Sequence, residues 1–382
     1  MTITSLSWLE IDAAALRQNI EAIRANLSPG CLMVPVVKAN AYGHGYLEIG
    51  KLLDKQGFPF LAVHNLEEAI LLREGGIEND ILIMGYIPLA DLRAAVAAGF
   101  DLVVYNLESL KKLVAVATAK QPARCHLKLE TGTQRQGITE ERLPEFLKEF
   151  QESSQLMLRG VSSHFANIED TTDHSYAQLQ MERFGRMKDQ VIASGFAVPY
   201  YHIASSAASL LFPETHFHLA RVGIALYGLW PSKETYLSYR LAGKENQILK
   251  PVLTWKSLLG QIKDVRRGEY VGYGTTYRAT ADMKLGVVPI GYFDGYDRLL
   301  SNRGYCLVNG RRAPIRGRIC MNLFMIDVTD IPDVRLENTV VLIGESGDEI
   351  IRAEDLAEWA NTINYEIVTR IGAHLKRIVT NP

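Results

Sequence analysis

A lysine at the end of an apolar run, followed by a turn rich in glycine and tyrosine, is the arrangement in this chain best suited to covalent chemistry. The stretch reads Cys31-Leu-Met-Val-Pro-Val-Val-Lys38-Ala-Asn-Ala-Tyr42-Gly-His-Gly45. A short apolar run bounded by turn residues reads as a buried strand, which puts Lys38 at its C-terminal end. An amine held there, partly desolvated, gives up its proton more readily and can form a Schiff base with a carbonyl. His64, Glu130, His164 and Ser205 also end apolar or β-branched runs. In Ala204-Ser205-Ser206-Ala207-Ala208 a serine can cap a short helix while hydroxyl and N–H groups take an anion. In Arg221-Val222-Gly223-Ile224 the glycine lets backbone N–H groups approach a ligand closely.

The elements that position these groups alternate regularly. Strand-like runs fall at Leu32–Lys38, Phe58–His64, Ile81–Tyr86, Asp101–Tyr105, Cys125–Glu130, Leu158–His164, Tyr200–Ser205 and Leu219–Tyr227. Helical segments such as Leu66–Arg73, Leu89–Ala98, Leu107–Ala119 and Ser175–Ala193 lie between them. Eight β-then-α units with no nucleotide fingerprint predict an α/β fold with an N-terminal (β/α)8 TIM-type barrel, whose active site lies at the strands' C-terminal ends. From Pro231 to Lys250 the texture turns polar and charged, as in a linker. Beyond it, Val252–Val265, Leu285–Gly291, Tyr305–Val308, Ala313–Ile319, Leu323–Val328 and Val340–Ile343, with a helix at Ala353–Ala360, predict a mostly antiparallel β domain. The expected domains are 1–240 and 241–382, with about the first ten residues free to pair with the C-terminal domain.

With 382 residues, 47% hydrophobic and 22% charged, the chain can bury two or three domain cores. A net charge of −2 supplies no basic field for nucleic acid or an anionic membrane. Cys31, Cys125, Cys306 and Cys320 are far apart and read as reduced thiols. No apolar run approaches a bilayer span, and the first residues lack the pattern of a signal peptide. A cytoplasmic protein is expected. His216 and His218 could share a strand face, but no Cys or carboxylate lies at ligand spacing, so no metal is expected. Walker A and G-x-S-x-G sequences are absent.

The Lys38 motif resembles the pyridoxal-phosphate lysine motif of the alanine racemase family. His-Ile-Ala-Ser-Ser-Ala-Ala (202–208), Arg-Val-Gly-Ile-Ala-Leu-Tyr-Gly (221–228), Gly-Tyr-Gly-Thr-Thr-Tyr (272–277), Pro-Ile-Gly-Tyr-Phe-Asp-Gly (289–295) and Gly-Arg-Ile-Cys-Met-Asn (317–322) are similar to further motifs of that family, in family order. The resemblance implies that Lys38 carries pyridoxal 5′-phosphate, and that Tyr42, Ser206 and the backbone of Gly223 and Ile224 hold its phosphate. It implies His164 against the cofactor ring and Arg221 facing the pyridine nitrogen. Arg135 would bind the phenolic oxygen and the substrate carboxylate, helped by the Met321 N–H of a partner subunit. Tyr273, also from the partner, would be the second catalytic base opposite Lys38. Both bases have ordinary pKa values of about 10, so they need burial or nearby positive charge to work at neutral pH. The implied activity is interconversion of L- and D-alanine by a homodimer with shared sites, supplying D-alanine for peptidoglycan.

The chain departs from the family in two places. Lys128-Leu-Glu130-Thr-Gly-Thr-Gln-Arg135 replaces the Asp-Thr-Gly-Met-Gly-Arg of many relatives, and Lys128 falls where many carry a carbamylated lysine. Some relatives have a tyrosine at or near Ala373, whose absence would enlarge the substrate pocket. The alternatives are a broader alanine/serine racemase, a related decarboxylase, and a non-catalytic pyridoxal-phosphate-binding protein. The last resembles the barrel alone, so a β domain with Tyr273 counts against it.

Overall fold

The computed structural model describes residues 5–244 and 249–382. The first four residues of the N-terminus, and residues 245–248 of the expected linker, lie outside the described residues. The chain divides into two compact units: Arg17–Ala39 with Ile49–Lys250, and Met1–Leu16 with Asn40–Glu48 and Pro251–Pro382. Strand β1 (Ser7–Asp12) belongs to the second unit.

The first unit is built from parallel strands: β2 (Leu32–Pro35), β3 (Leu61–Val63), β4 (Ile81–Ile83), β5 (Asp101–Val104), β6 (Ala123–Lys128), β7 (Leu156–Ser162), β8 (Tyr200–His202) and β9 (Leu219–Val222). Each overlaps one of the eight expected runs, and every one ends earlier than expected. β3 through β8 form a six-stranded sheet in sequence order, and β2 pairs with β9. β3, β4 and β9 are buried at every position, the pattern of strands covered on both faces. The helices between them bury one stripe each. In Leu143–Glu152 the buried residues are Leu143, Phe146, Leu147 and Phe150, the i, i+3, i+4, i+7 spacing of an amphipathic helix. Asn65 and Asn106 cap the helices that begin at Leu66 and Leu107, each accepting an N–H three residues on.

Among the described residues the regular ladders of this curled sheet do not close into a ring. An isolated bridge, Val36 to Ala62, joins the end of β2 to β3. Between β8 and β9 run separate backbone bonds, His218 N to Tyr201 O at 3.0 Å and Arg221 N to Ala204 O at 3.1 Å. The expected linker is also partly helical. Lys233–Leu241 folds as a helix capped by Ser232, which buries Thr235 and Tyr239 while leaving Leu237 and Leu241 exposed. Two buried side chains one turn apart suffice for a docked helix but leave little periodicity to read.

The second unit is mostly antiparallel. Its strands are β1 and then β10 (Leu253–Leu258), β11 (Gln261–Val265), β12 (Tyr270–Val271), β13 (Tyr277–Arg278), β14 (Met283–Val288), β15 (Tyr305–Val308), β16 (Arg311–Pro314), β17 (Phe324–Asp327), β18 (Thr339–Ser346), β19 (Glu349–Ile351) and β20 (Lys376–Thr380). The expected run Val252–Val265 is two strands, broken at Leu259-Gly260. The largest sheet runs β16-β15-β18-β10-β1-β20, so β1 pairs antiparallel with β10 and parallel with β20. Trp255 anchors this core: its Nε1–H donates to Ser7 Oγ at 3.0 Å, and its ring meets Tyr296 edge-on at 5.7 Å. Among the described residues no helix is long and apolar enough to cross a membrane.

Candidate active site

The chain leaves β2 through Val36 and Val37, and Lys38 opens a single helical turn, Lys38–Tyr42. That turn is left-handed: Ala39, Asn40, Ala41 and Tyr42 have φ of 54, 54, 51 and 54°. For L-residues this conformation costs roughly 1–2 kcal/mol each, and such strain persists only where surrounding structure imposes it. The Glu68 carboxylate accepts from Ala39 N at 2.8 Å and His64 N at 2.6 Å. Asn40 Oδ1 accepts from Tyr46 N at 3.0 Å. His44 Nδ1–H donates to the carbonyls of Ala41 and Tyr42, at 3.1 and 2.9 Å. Gly43 closes the turn at φ 83°, where a Cβ would lie 1.9 Å from Val368 O. No other residue fits there.

Around Lys38 the first unit gathers positive charge. Burial, then the charges of Arg135 and Arg221, hold the Lys38 amine below its ordinary pKa, with Glu68 opposing. Lys128 lies well below the usual lysine range through burial and the Arg221 and Arg135 charges, with Glu130 opposing. His164 is pushed far down by burial and then by Lys128, Arg221, Arg135 and Lys38, so its imidazole is neutral. Burial and Arg135 bring Arg221 down to about 10, and it remains a cation at neutral pH. The charges of Lys38, Lys128, Arg135 and Arg221 thus act on one another and on His164.

Arg221 is held on several sides. Nη1 donates to His202 Nδ1 and to His202 O; Nη2 donates to Ser163 O at 2.8 Å and to Ile203 O at 3.3 Å, and lies 3.5 Å from His164 Nδ1. Nε engages nothing among the described residues, so one N–H of a fixed fork is left to donate. Ser206 differs from the capping role expected of that serine pair. Its hydroxyl accepts from Gly223 N at 3.0 Å and Ala225 N at 3.4 Å, tying the start of Ser206–Leu211 to the loop after β9. Ser205 occupies the cap position without a side-chain bond. The Ser206 O–H proton and the Ile224 N–H remain for an anion. Few carboxylates oppose this set of cations and donors, so a dianionic group with a ring-nitrogen acceptor and a carbonyl fits it.

Tyr42, at the end of the left-handed turn, is buried, and burial pushes its phenol up; its ring centroid lies 6.3 Å from that of Tyr365. In the second unit Tyr273 sits at the tip of the β12–β13 hairpin and is 75% exposed. Gly272 and Gly274 on either side have φ of 73 and 71°. A Cβ on Gly274 would press the Arg318 guanidinium at 2.9 Å. Met321 is 55% exposed, and its carbonyl accepts from Phe293 N at 3.0 Å. Its N–H makes no bond among the described residues. His216 Nδ1 accepts from Ser28 N and His218 Nδ1 from Tyr201 N, at 3.0 and 3.1 Å.

Sequence reasoning missed Glu68, His44 and the partners of Arg221. Glu68 had a signal: Asn65-Leu-Glu-Glu68 is the spacing of a helix-capping box, and the acidic member's carboxylate serves the lysine turn. His202 and Ser163 fall within expected strands, where sequence cannot say which way a polar residue points.

An α/β chain with a depressed lysine amine among guanidinium groups after parallel strands, and spare N–H and O–H donors beside it, defines an amine-centred site for an anionic carbonyl compound. The chain matches the alanine racemase N-terminal domain over residues 11–231 and the alanine racemase C-terminal domain over residues 252–379. It belongs to the alanine racemase family. It is 38% identical over 383 residues to the alanine racemase of Leptospira interrogans serovar Lai, covering 100% of this chain and 97% of that one. The alanine racemase of Syntrophobacter fumaroxidans is 41% identical over 367 residues, 96% of this chain and 95% of that one. Among solved structures, the alanine racemase of Bacillus anthracis with bound L-Ala-P superposes with a TM-score of 0.91 at 34% identity, covering 100% and 96% of the two chains. That of D-cycloserine-producing Streptomyces lavendulae gives 0.90 at 34%, covering 99% and 98%.

Proposed function

We propose that this protein is an alanine racemase that interconverts L- and D-alanine with pyridoxal 5′-phosphate. The observation that carries the reading is the Lys38 amine, held below its ordinary pKa among Arg135, Arg221, Lys128 and His164. Bound there, the cofactor supplies the electron sink that an amino acid's α-carbon lacks. Lys38 carries it and, once released, moves a proton at its Nζ on one face of the α-carbon. Tyr273 moves a proton at its phenolic oxygen on the other. Tyr42, Ser206, Gly223 and Ile224 hold the phosphate, His164 lies against the ring, and Arg221 directs Nε–H at the pyridine nitrogen. Because a guanidinium only donates and stays charged, it favours an unprotonated ring nitrogen, which limits side reactions. Arg135 and the Met321 N–H hold the substrate carboxylate.

In this reading residues 1–240 form the cofactor-binding unit, with strands β2–β9 making a closed (β/α)8 barrel; the Val36–Ala62 bridge and the backbone bonds between β8 and β9 support closure. Residues 241–382 supply Tyr273 and Met321 to a partner's site in a homodimer, which the exposure of both residues supports. A cytoplasmic enzyme supplying D-alanine to peptidoglycan is the corresponding role.

The test is incubation of purified protein with L-alanine in deuterated water, with and without added pyridoxal phosphate. Deuterated D-alanine is the expected product. A pyridoxal-type absorbance without α-proton exchange on alanine would reject the substrate; no such absorbance would reject the cofactor.

A further inference from the structure

Behind Arg221, within the same unit, a buried hydrogen-bonded chain crosses the parallel sheet. Asp101 opens β5, His126 lies within β6, His202 ends β8 and Arg221 lies in β9; all four are buried. Arg221 Nη1 meets His202 Nδ1, His202 Nε2 lies 3.0 Å from His126 Nδ1, and His126 Nε2 lies 3.3 Å from Asp101 Oδ1. At the far end Asp101 is held by Arg124 Nε at 3.2 Å and Arg159 Nη1 at 3.1 Å.

Donor rules leave this chain one direction. A guanidinium only donates, so His202 Nδ1 accepts and its proton sits on Nε2. That proton faces His126 Nδ1, which accepts in turn, so the His126 proton also sits on Nε2 and goes to the Asp101 carboxylate. Burial keeps both imidazoles neutral, with one proton each. Reversing any link sets two N–H groups, or two lone pairs, against each other.

A second observation concerns room. His126 reaches His202 past the intervening strand β7, and opposite it in the ladder stands Gly160. A Cβ on Gly160 would lie 2.1 Å from His126 Nδ1. That is the nitrogen that meets His202, so any side chain there breaks the contact.

We propose that Asp101, His126 and His202 are positioning residues that fix the orientation of Arg221 and thereby aim its Nε–H at the cofactor's ring nitrogen. This rests on the reading that a pyridoxal ring lies against Arg221. Without the carboxylate, His126 is free to carry its proton on Nδ1, which opposes the His202 Nε2–H and lets the fork turn.

The test uses 15N-histidine NMR of the protein free of cofactor, then of protein loaded with ring-15N pyridoxal phosphate. The expected result is His126 and His202 both protonated on Nε2 alone. In Gly160→Ala and Asp101→Asn those tautomers become mixed and the ring-nitrogen resonance shifts. The alanine kcat falls roughly tenfold, as when an outer partner of a site group is lost, while KM changes little. An Nδ1 proton or a doubly protonated ring at either histidine in the unmodified protein overturns the proposal and needs no variant. An unchanged ring-nitrogen signal in folded Gly160→Ala overturns it too. Failure to bind pyridoxal phosphate would instead overturn the cofactor reading, and with it the aiming role, whatever the cofactor-free tautomers are.

Discussion

The two expected proton-moving residues stand in opposite surroundings. Lys38 lies in the first unit with its environment already assembled: burial and two guanidinium charges lower its pKa, and Glu68 holds the first N–H of the strained turn that follows it. Tyr273 stands in the second unit at a hairpin tip, three-quarters exposed between two glycines. The tip is crowded at its glycines, because a Cβ on Gly272 would lie 2.7 Å from the Met325 side chain and one on Gly274 2.9 Å from the Arg318 guanidinium. A phenol so exposed between two glycines of positive φ points outward from its own unit. The difference teaches that the surroundings of Lys38 are supplied by its own fold, whereas a catalytic role for Tyr273 would need surroundings supplied by something it meets.

If that contrast is right, removing the base with the finished environment has the largest effect. Lys38→Ala should lower racemisation by on the order of 10³-fold or more, in both directions, and remove the cofactor's covalent absorbance. Steady-state rates from L- and from D-alanine check it; more than a few per cent of residual activity would break the comparison. Tyr273→Phe should cost about 10²–10⁴-fold with little change in melting temperature, since an exposed hydroxyl carries no fold energy. It should also reduce α-deuterium exchange unequally for the two enantiomers, because Lys38 remains to exchange on one face. Equal loss for both enantiomers would mean that Tyr273 does not serve a single face.

The contrast also marks what sequence could carry. The eight strand positions and Lys38 were legible because an apolar run ending at a polar residue is a local pattern. The β1–β20 pairing was less so, joining the two ends of the chain. The left-handed turn was illegible, since Ala39, Asn40 and Ala41 carry no glycine to announce positive φ. Its cause lies in Glu68 and in Gly43 against Val368, contacts set by tertiary structure. The same holds for Asp101, His126 and His202: each looks like an ordinary strand residue until pairing brings them into line.

His44 tests the strained turn itself. Burial lowers its pKa to about 4 from 6.5, and it donates Nδ1–H to Ala41 O and Tyr42 O. Between pH 6.5 and about 4 the unfolded chain therefore binds a proton that the folded chain refuses, and stability falls as pH drops through that window. The loss is roughly 3 kcal/mol at 1.36 kcal/mol per unit. His44→Gln keeps a donor without titrating, so its urea stability should fall less between pH 7 and pH 4.5. Parallel pH dependence in the two proteins would separate His44 from the turn's acid sensitivity. It would shift the cause to other groups of lowered pKa, the buried His126, His164 and His202 among them.

The smallest effect concerns the second unit's share in substrate choice. Ala373 is exposed, and its carbonyl accepts from Arg377 Nη1 at 3.0 Å, so the backbone there is tied while the side chain is free to enlarge. If residues of this unit complete a partner's pocket, Ala373→Tyr should fill space near the substrate and raise the alanine-to-serine ratio of kcat/KM. Such pocket differences are worth about 1–3 kcal/mol, a roughly tenfold to hundredfold change. Arg377 also donates to Gly43 O at 2.9 Å, so a distorted backbone would disturb the Lys38 turn and lower both activities together. A rise in the ratio with alanine activity retained would place Ala373 at the pocket, whereas an unchanged ratio would confine the second unit's contribution to Tyr273 and Met321.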